Sequence, residues 1–81
     1  MFYVYVLKSS KDGKHYIGFT TDLKKRFQEH ILGKVRATFY RRPLELLYYE
    51  CYKNRETAQK RERQLEGGKA HVALIERLKL G

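Results

Sequence analysis

Two runs of alternating β-branched and aromatic residues flank a polar segment at the start of the chain, and this pattern constrains the fold more than any other feature. In Phe2-Tyr3-Val4-Tyr5-Val6-Leu7 the side chains divide with period two: Phe2, Val4 and Val6 point one way, and Tyr3, Tyr5 and Leu7 the other. Ser9-Ser10-Lys11-Asp12-Gly13-Lys14 supplies turn chemistry, and His15 to Phe19 reads as the returning strand. The fold therefore opens on a pair of antiparallel strands.

Thr20-Thr21-Asp22 offers N-cap side chains ahead of Leu23, Phe27 and Ile31, whose four-residue spacing marks an apolar helix stripe, and Gly33 is a stop. This predicts a helix over roughly residues 22–32. Lys34 to Arg42 reads as a basic loop with no acidic residue, closed by Pro43 before Leu44 to Tyr52 resumes a strand pattern. Asn54 caps a second helix running to about Leu65. After Gly67-Gly68, Ala70 to Lys79 carries Val72, Ile75 and Leu78 at helical spacing. The expected order is ββαβαα, an α+β fold without repeats or linkers.

With 81 residues the chain fits one domain, residues 1–81. A chain this short buries only about 60–65% of its unfolded surface, so its core is thin and any site is a surface groove. The net charge of +9 favours a polyanionic partner, and nucleic acid fits better than a membrane because no strongly apolar amphipathic face accompanies the charge. Residues 1–42 hold ten of the basic and three of the acidic residues, which places the basic footprint in the amino-terminal half. The single cysteine, Cys51, reads as a buried strand residue. The lack of a disulfide partner, of a long apolar run and of a secretory leader points to a soluble, cytoplasmic protein of a reducing compartment.

Candidate chemistry lies in side chains that can converge at one edge of the sheet. Tyr5 and Tyr16 sit on paired strands, so their phenols can approach across the ladder. Arg26 and His30, four apart, share one helix face. Glu62 lies beside Ala58 and Leu65, the positions that press the second helix onto the sheet. Phosphodiester hydrolysis asks for such parts: a carboxylate for a hard divalent cation, a guanidinium for phosphate oxygens and a group that takes a proton from water. A tyrosine base at neutral pH needs cationic neighbours, because its ordinary pKa is about 10. Arg26, a bound cation and His30 are the candidates for that role.

Tyr3-Val4-Tyr5 with Tyr16-Ile17-Gly18, Asp22-Leu23-Lys24-Lys25-Arg26, His30, Arg41-Arg42-Pro43-Leu44-Glu45-Leu46 and Ala58-Gln59-Lys60-Arg61-Glu62 together resemble the GIY-YIG nuclease superfamily, over roughly residues 2–75. The small bacterial stand-alone members are the nearest in form. The resemblance implies a three-stranded antiparallel sheet flanked by helices. It also implies an endonuclease that hydrolyses DNA with one divalent ion, Mg²⁺ or Mn²⁺. By position, Tyr5 and Tyr16 match the tyrosines of the two half-motifs, Arg26 the arginine that binds the scissile phosphate, and His30 a His or Tyr position. Glu62 matches the metal-binding carboxylate. Three features depart from the family pattern: Tyr3 replaces the usual Gly, Phe19 stands where repair-type relatives have Lys, and the late Asn has no counterpart.

Lys24, Lys34, Arg36, Arg41 and Arg42 are the expected phosphate contacts, with Phe39 and Tyr40 interleaved as stacking candidates or as pins for the loop. The implied role lies in DNA repair or recombination, with DNA as partner and no membrane or small-molecule cofactor. Two alternatives stand beside it: a non-catalytic DNA-binding module, and a nuclease active only within a larger assembly with a protein partner. Oligomeric state is not legible.

Overall fold

The computed structural model describes residues 1–80, and its elements follow in the order β1 (Phe2–Ser9), β2 (His15–Thr20), α1 (Leu23–Ile31), a 3-10 helix (Arg36–Arg41), β3 (Leu44–Tyr52), α2 (Arg55–Leu65) and α3 (Gly68–Leu80). The three strands form an antiparallel sheet in the order β2-β1-β3, with the most apolar strand in the centre. Central placement lets β1 bury side chains on both faces. Val4 and Val6 pack with Ala58 and Leu65 of α2 and Leu74 of α3, and Phe2, Ile17, Phe19, Tyr48 and Tyr52 extend that layer. Tyr5 and Leu7, on the other face, are equally buried.

The β1–β3 register slips between Val6 and Leu7, where Val6 pairs with Tyr48 and Leu7 with Leu46, leaving Leu47 as an extra residue. The helix ends follow the expected caps. The Asp22 carboxylate accepts from Lys25 N at 3.1 Å, and Asn54 Oδ1 accepts from Thr57 N at 3.2 Å. Gly33 adopts φ +78°, the left-handed conformation that ends α1.

The structure differs from the sequence-based expectation in four places. The buried residue of α1 is His30, whereas Ile31, assigned to the apolar stripe, is 42% exposed. The polar imidazole can turn inward because buried hydroxyls receive both of its nitrogens. Cys51 is exposed rather than buried, on the same face of β3 as the exposed Tyr49, at a point the helices leave open. The basic loop is ordered: it contains a 3-10 helix fastened to the hairpin by Ser9, whose Oγ donates to Arg41 O at 2.6 Å.

The fourth difference is a polar cluster on the α2 side of the sheet. Arg61 Nε and Nη2 donate to the two Glu50 oxygens at 2.8 and 3.0 Å, and the hydroxyls of Tyr48 and Tyr52 donate to the same carboxylate. Burial alone would raise Glu50, but these donors outweigh it and hold the carboxyl below its ordinary range. The pair ties α2 to β3.

Candidate active site

Gly18 faces Tyr5 across the β1–β2 ladder, and a β-carbon built on it would overlap the Tyr5 phenol. The absent side chain lets the ring lie directly across β2. Tyr16, two residues earlier on the same strand, stands diagonal to Tyr5 with ring centroids 6.4 Å apart. His30 meets both rings edge-on, at 5.6 Å from Tyr5 and 5.3 Å from Tyr16. The Tyr5 hydroxyl and His30 Nε2 are hydrogen-bonded at 2.8 Å, and His30 Nδ1 and Thr38 Oγ1 at 2.7 Å. Sequence reasoning passed over Thr38, because a lone threonine in a basic segment carries no spacing signal.

Tyr5 and His30 are enclosed, at 1% and 0% exposure, whereas Tyr16 is half-buried. Burial pushes the Tyr5 phenol up to about 12, although the Arg26 guanidinium beside its hydroxyl pulls the other way. Burial also pushes His30 down to about 4, with the Arg26 charge adding to the effect. His30 is therefore neutral at pH 7. It cannot be one of the cations that the sequence reading placed around the tyrosines, whereas the Arg26 charge does act on the Tyr5 phenol. The Arg26 guanidinium is half-exposed, with an ion pair at 3.3 Å to Glu29 Oε1.

Glu62 sits on α2, which covers the opposite face of the sheet, yet its carboxylate lies near enough to act on the Tyr5 phenol. It is half-buried and forms no ion pair among the described residues. Burial, reinforced by the Glu66 charge, raises it above the ordinary glutamate value. An unpaired, partly desolvated carboxylate of this kind suits a hard divalent cation. No cluster of three or more His, Cys, Asp or Glu gathers around it among the described residues. One protein oxygen, completed by water and phosphate oxygens, is a donor set of the kind Mg²⁺ accepts.

Arg26 opens onto a surface groove of about 590 Å³ lined by Phe19, Thr20, Asp22, Lys25, Glu29 and Arg55 among others. This groove runs between the end of β2 and the start of α1. The hollow beside the basic segment, lined by Lys11, Ile31, Phe39, Tyr40, Arg42, Pro43 and Leu44, is a separate one. Of the five basic residues expected at phosphates, Lys24, Lys34 and Arg36 are exposed and unpaired among the described residues. Arg41 is engaged inside the fold, through Asp12 Oδ2 at 3.4 Å and the His15 carbonyl at 3.3 Å. Arg42 stacks over the Phe39 ring at 4.4 Å and donates to Phe39 O and Ile31 O. The latter two arginines hold the segment in place. No helix among the described residues is long and apolar enough to cross a membrane.

Known proteins resemble this chain in sequence and in fold. A UPF0213 protein of Bacillus pumilus (strain SAFR-032) is 46% identical over 61 residues, covering 74% of this chain and 61% of that protein. One from Streptococcus pyogenes serotype M5 (strain Manfredo) is 48% identical over 61 residues, covering 74% of this chain and 65% of that protein. The match thus spans less than two thirds of either relative's length. The solution NMR structure of a UPF0213 protein from Bacillus halodurans superposes with a TM-score of 0.59 at 30% identity, covering 98% of this chain and 86% of that one. Residues 1–70 match the GIY-YIG catalytic domain. With that domain matched over residues 1–70, and with Tyr5 and Gly18 paired across β1 and β2 beside Tyr16, the chain belongs to the GIY-YIG family of nuclease domains.

Proposed function

We propose that this protein is an endonuclease that uses one divalent ion, Mg²⁺ or Mn²⁺, to hydrolyse DNA phosphodiester bonds, in repair or recombination. The observation that carries this reading is the packing of Tyr5 over Gly18 and of the Tyr5, Tyr16 and His30 rings against one another, with the Arg26 charge acting on the Tyr5 phenol. Arg26 grips the scissile phosphate and stabilises the charge that builds on it in the transition state. Tyr16, the more accessible phenol, orients or deprotonates the attacking water. Tyr5 stays protonated behind it and holds the guanidinium in line. As water oxygen bonds to phosphorus, the bond to the leaving sugar oxygen breaks. Glu62 would hold the metal ion, which supplies Lewis-acid polarisation of the phosphate when bound. Lys24, Lys34 and Arg36 give sequence-independent attraction to the backbone.

Arg26→Ala tests the assignment directly. The variant is expected to lose cutting by about a hundredfold or more while DNA affinity falls far less. Cutting by Arg26→Ala at the wild-type rate would remove Arg26 from the reaction. The rival reading, a DNA-binding module without chemistry, draws on the enclosure of Tyr5. It predicts salt-sensitive binding that neither a chelator nor Glu62→Ala changes, with no cutting under any metal condition.

A further inference from the structure

The 3-10 helix Arg36–Arg41 reaches the site through one side chain, and it is not a basic one. Thr38 is fully buried, and its Oγ1 lies 2.7 Å from His30 Nδ1, while His30 Nε2 lies 2.8 Å from the Tyr5 hydroxyl. These three side chains form a closed polar chain, in which no buried side-chain polar atom among the described residues lacks a partner. Its direction follows from donor chemistry. The positive Arg26 guanidinium acts on the Tyr5 phenol, which favours the oxygen lone pairs on its side and turns the phenol proton toward Nε2. A neutral imidazole that accepts at Nε2 carries its proton on Nδ1, and that proton has Thr38 Oγ1 as its acceptor.

The frame around Thr38 is fixed from both ends. Its backbone N–H donates to Val35 O at 3.2 Å, and the far end of the 3-10 helix is fastened by Ser9 Oγ to Arg41 O at 2.6 Å. Arg41 adds its contacts to Asp12 and to the His15 carbonyl, both on the hairpin that carries Tyr5 and Tyr16. Thr38 therefore meets His30 as part of a rigid support.

Resting on the nuclease reading, we propose that Thr38 is a positioning residue: it fixes the His30 tautomer that accepts the Tyr5 hydroxyl, and so sets the phenol that holds Arg26 in line. The 36–41 segment is thereby coupled to the chemistry by a neutral hydroxyl, independently of its charges. Replacing Thr38 by Val keeps the shape and removes the acceptor. The imidazole proton then moves to Nε2, where it faces the Tyr5 oxygen and leaves the phenol's own proton without a partner.

Long-range ¹H–¹⁵N correlation spectra of the full ¹⁵N-labelled chain at pH 7 read the tautomer without turnover, with His30 identified by its absence in His30→Gln. The expected result is an Nδ1–H imidazole in the wild type and in Thr38→Ser, and an Nε2–H imidazole in Thr38→Val. On supercoiled plasmid, Thr38→Val should lose roughly tenfold or more in kcat, with KM changed less than about twofold and activity regained in Thr38→Ser, as for outer partners that orient a histidine. An Nε2–H tautomer in the wild type overturns the proposal, and so does full kcat in Thr38→Val. Should Thr38→Val fail to fold, the wild-type and Thr38→Ser tautomers decide. A wild type that cuts nothing refutes the nuclease reading alone, because the tautomer is still read.

Discussion

Acidification should loosen the fold through His30, by an amount that follows from its burial. The imidazole is fully enclosed, and its folded pKa is pushed down to about 4, against about 6.5 in the unfolded chain. The unfolded state therefore binds the proton first as pH falls. Stability from keeping His30 neutral is fully present above pH ~6.5 and is lost between there and about 4. Across that window the loss approaches 3 kcal/mol, and between pH 7 and pH 5 it is about 2 kcal/mol. An 81-residue domain has a total stability on the order of 4–12 kcal/mol, so the change is large enough to measure. Urea unfolding at pH 7, 6 and 5 on the wild type and on His30→Gln isolates the contribution, because the other titrating groups are common to both. The wild type should lose about 2 kcal/mol more than the variant between pH 7 and pH 5. Curves that stay parallel to within roughly 0.5 kcal/mol would refute the claim that His30 is buried and neutral.

Other perturbations separate the parts of the structure. Gly18→Ala places a β-carbon in the Tyr5 ring, so it should destabilise the domain by about 1–3 kcal/mol and abolish cutting, measured by urea unfolding and plasmid nicking. Glu50→Ala leaves Arg61 and two tyrosine hydroxyls without their acceptor and should cost about 2–4 kcal/mol in urea unfolding with no direct effect on chemistry. Because the folded Glu50 pKa is depressed, the wild type's advantage over this variant should be present near neutral pH and shrink as pH falls through the carboxylate range. Lys34→Ala and Arg36→Ala should each reduce the salt slope of DNA binding by about one, whereas Arg41→Ala should leave the slope unchanged and lower stability.

The sheet and helices were legible because local signals agreed with tertiary demands. Alternation in Phe2–Leu7, the Asp22 and Asn54 caps and the Gly33 stop each mark a boundary that packing then uses. The convergence of Tyr5, Tyr16, Arg26 and His30 could be anticipated from strand pairing and helix spacing, and Gly18 explains why the two tyrosines meet. What escaped was set by partners distant in sequence. The full burial of His30 depends on Tyr5 and Thr38, which receive its two nitrogens. The contacts of Arg41 to Asp12 and to the His15 carbonyl link residues 29 and 26 positions apart, which no local pattern marks. The Glu50–Arg61 pair joins a strand to a helix eleven residues on, a separation that no periodicity marks. The burial assigned to Cys51 failed because the helices leave that part of the sheet uncovered.

The central claim is metal-dependent phosphodiester hydrolysis at this edge of the sheet. Nicking of supercoiled plasmid by the purified chain, with Mg²⁺ or Mn²⁺, a chelator control and Glu62→Gln in parallel, tests it most directly. The account predicts nicking by the wild type that both the chelator and Glu62→Gln abolish. Nicking that survives either one, or tight salt-sensitive DNA binding with no nicking under either metal, would contradict it.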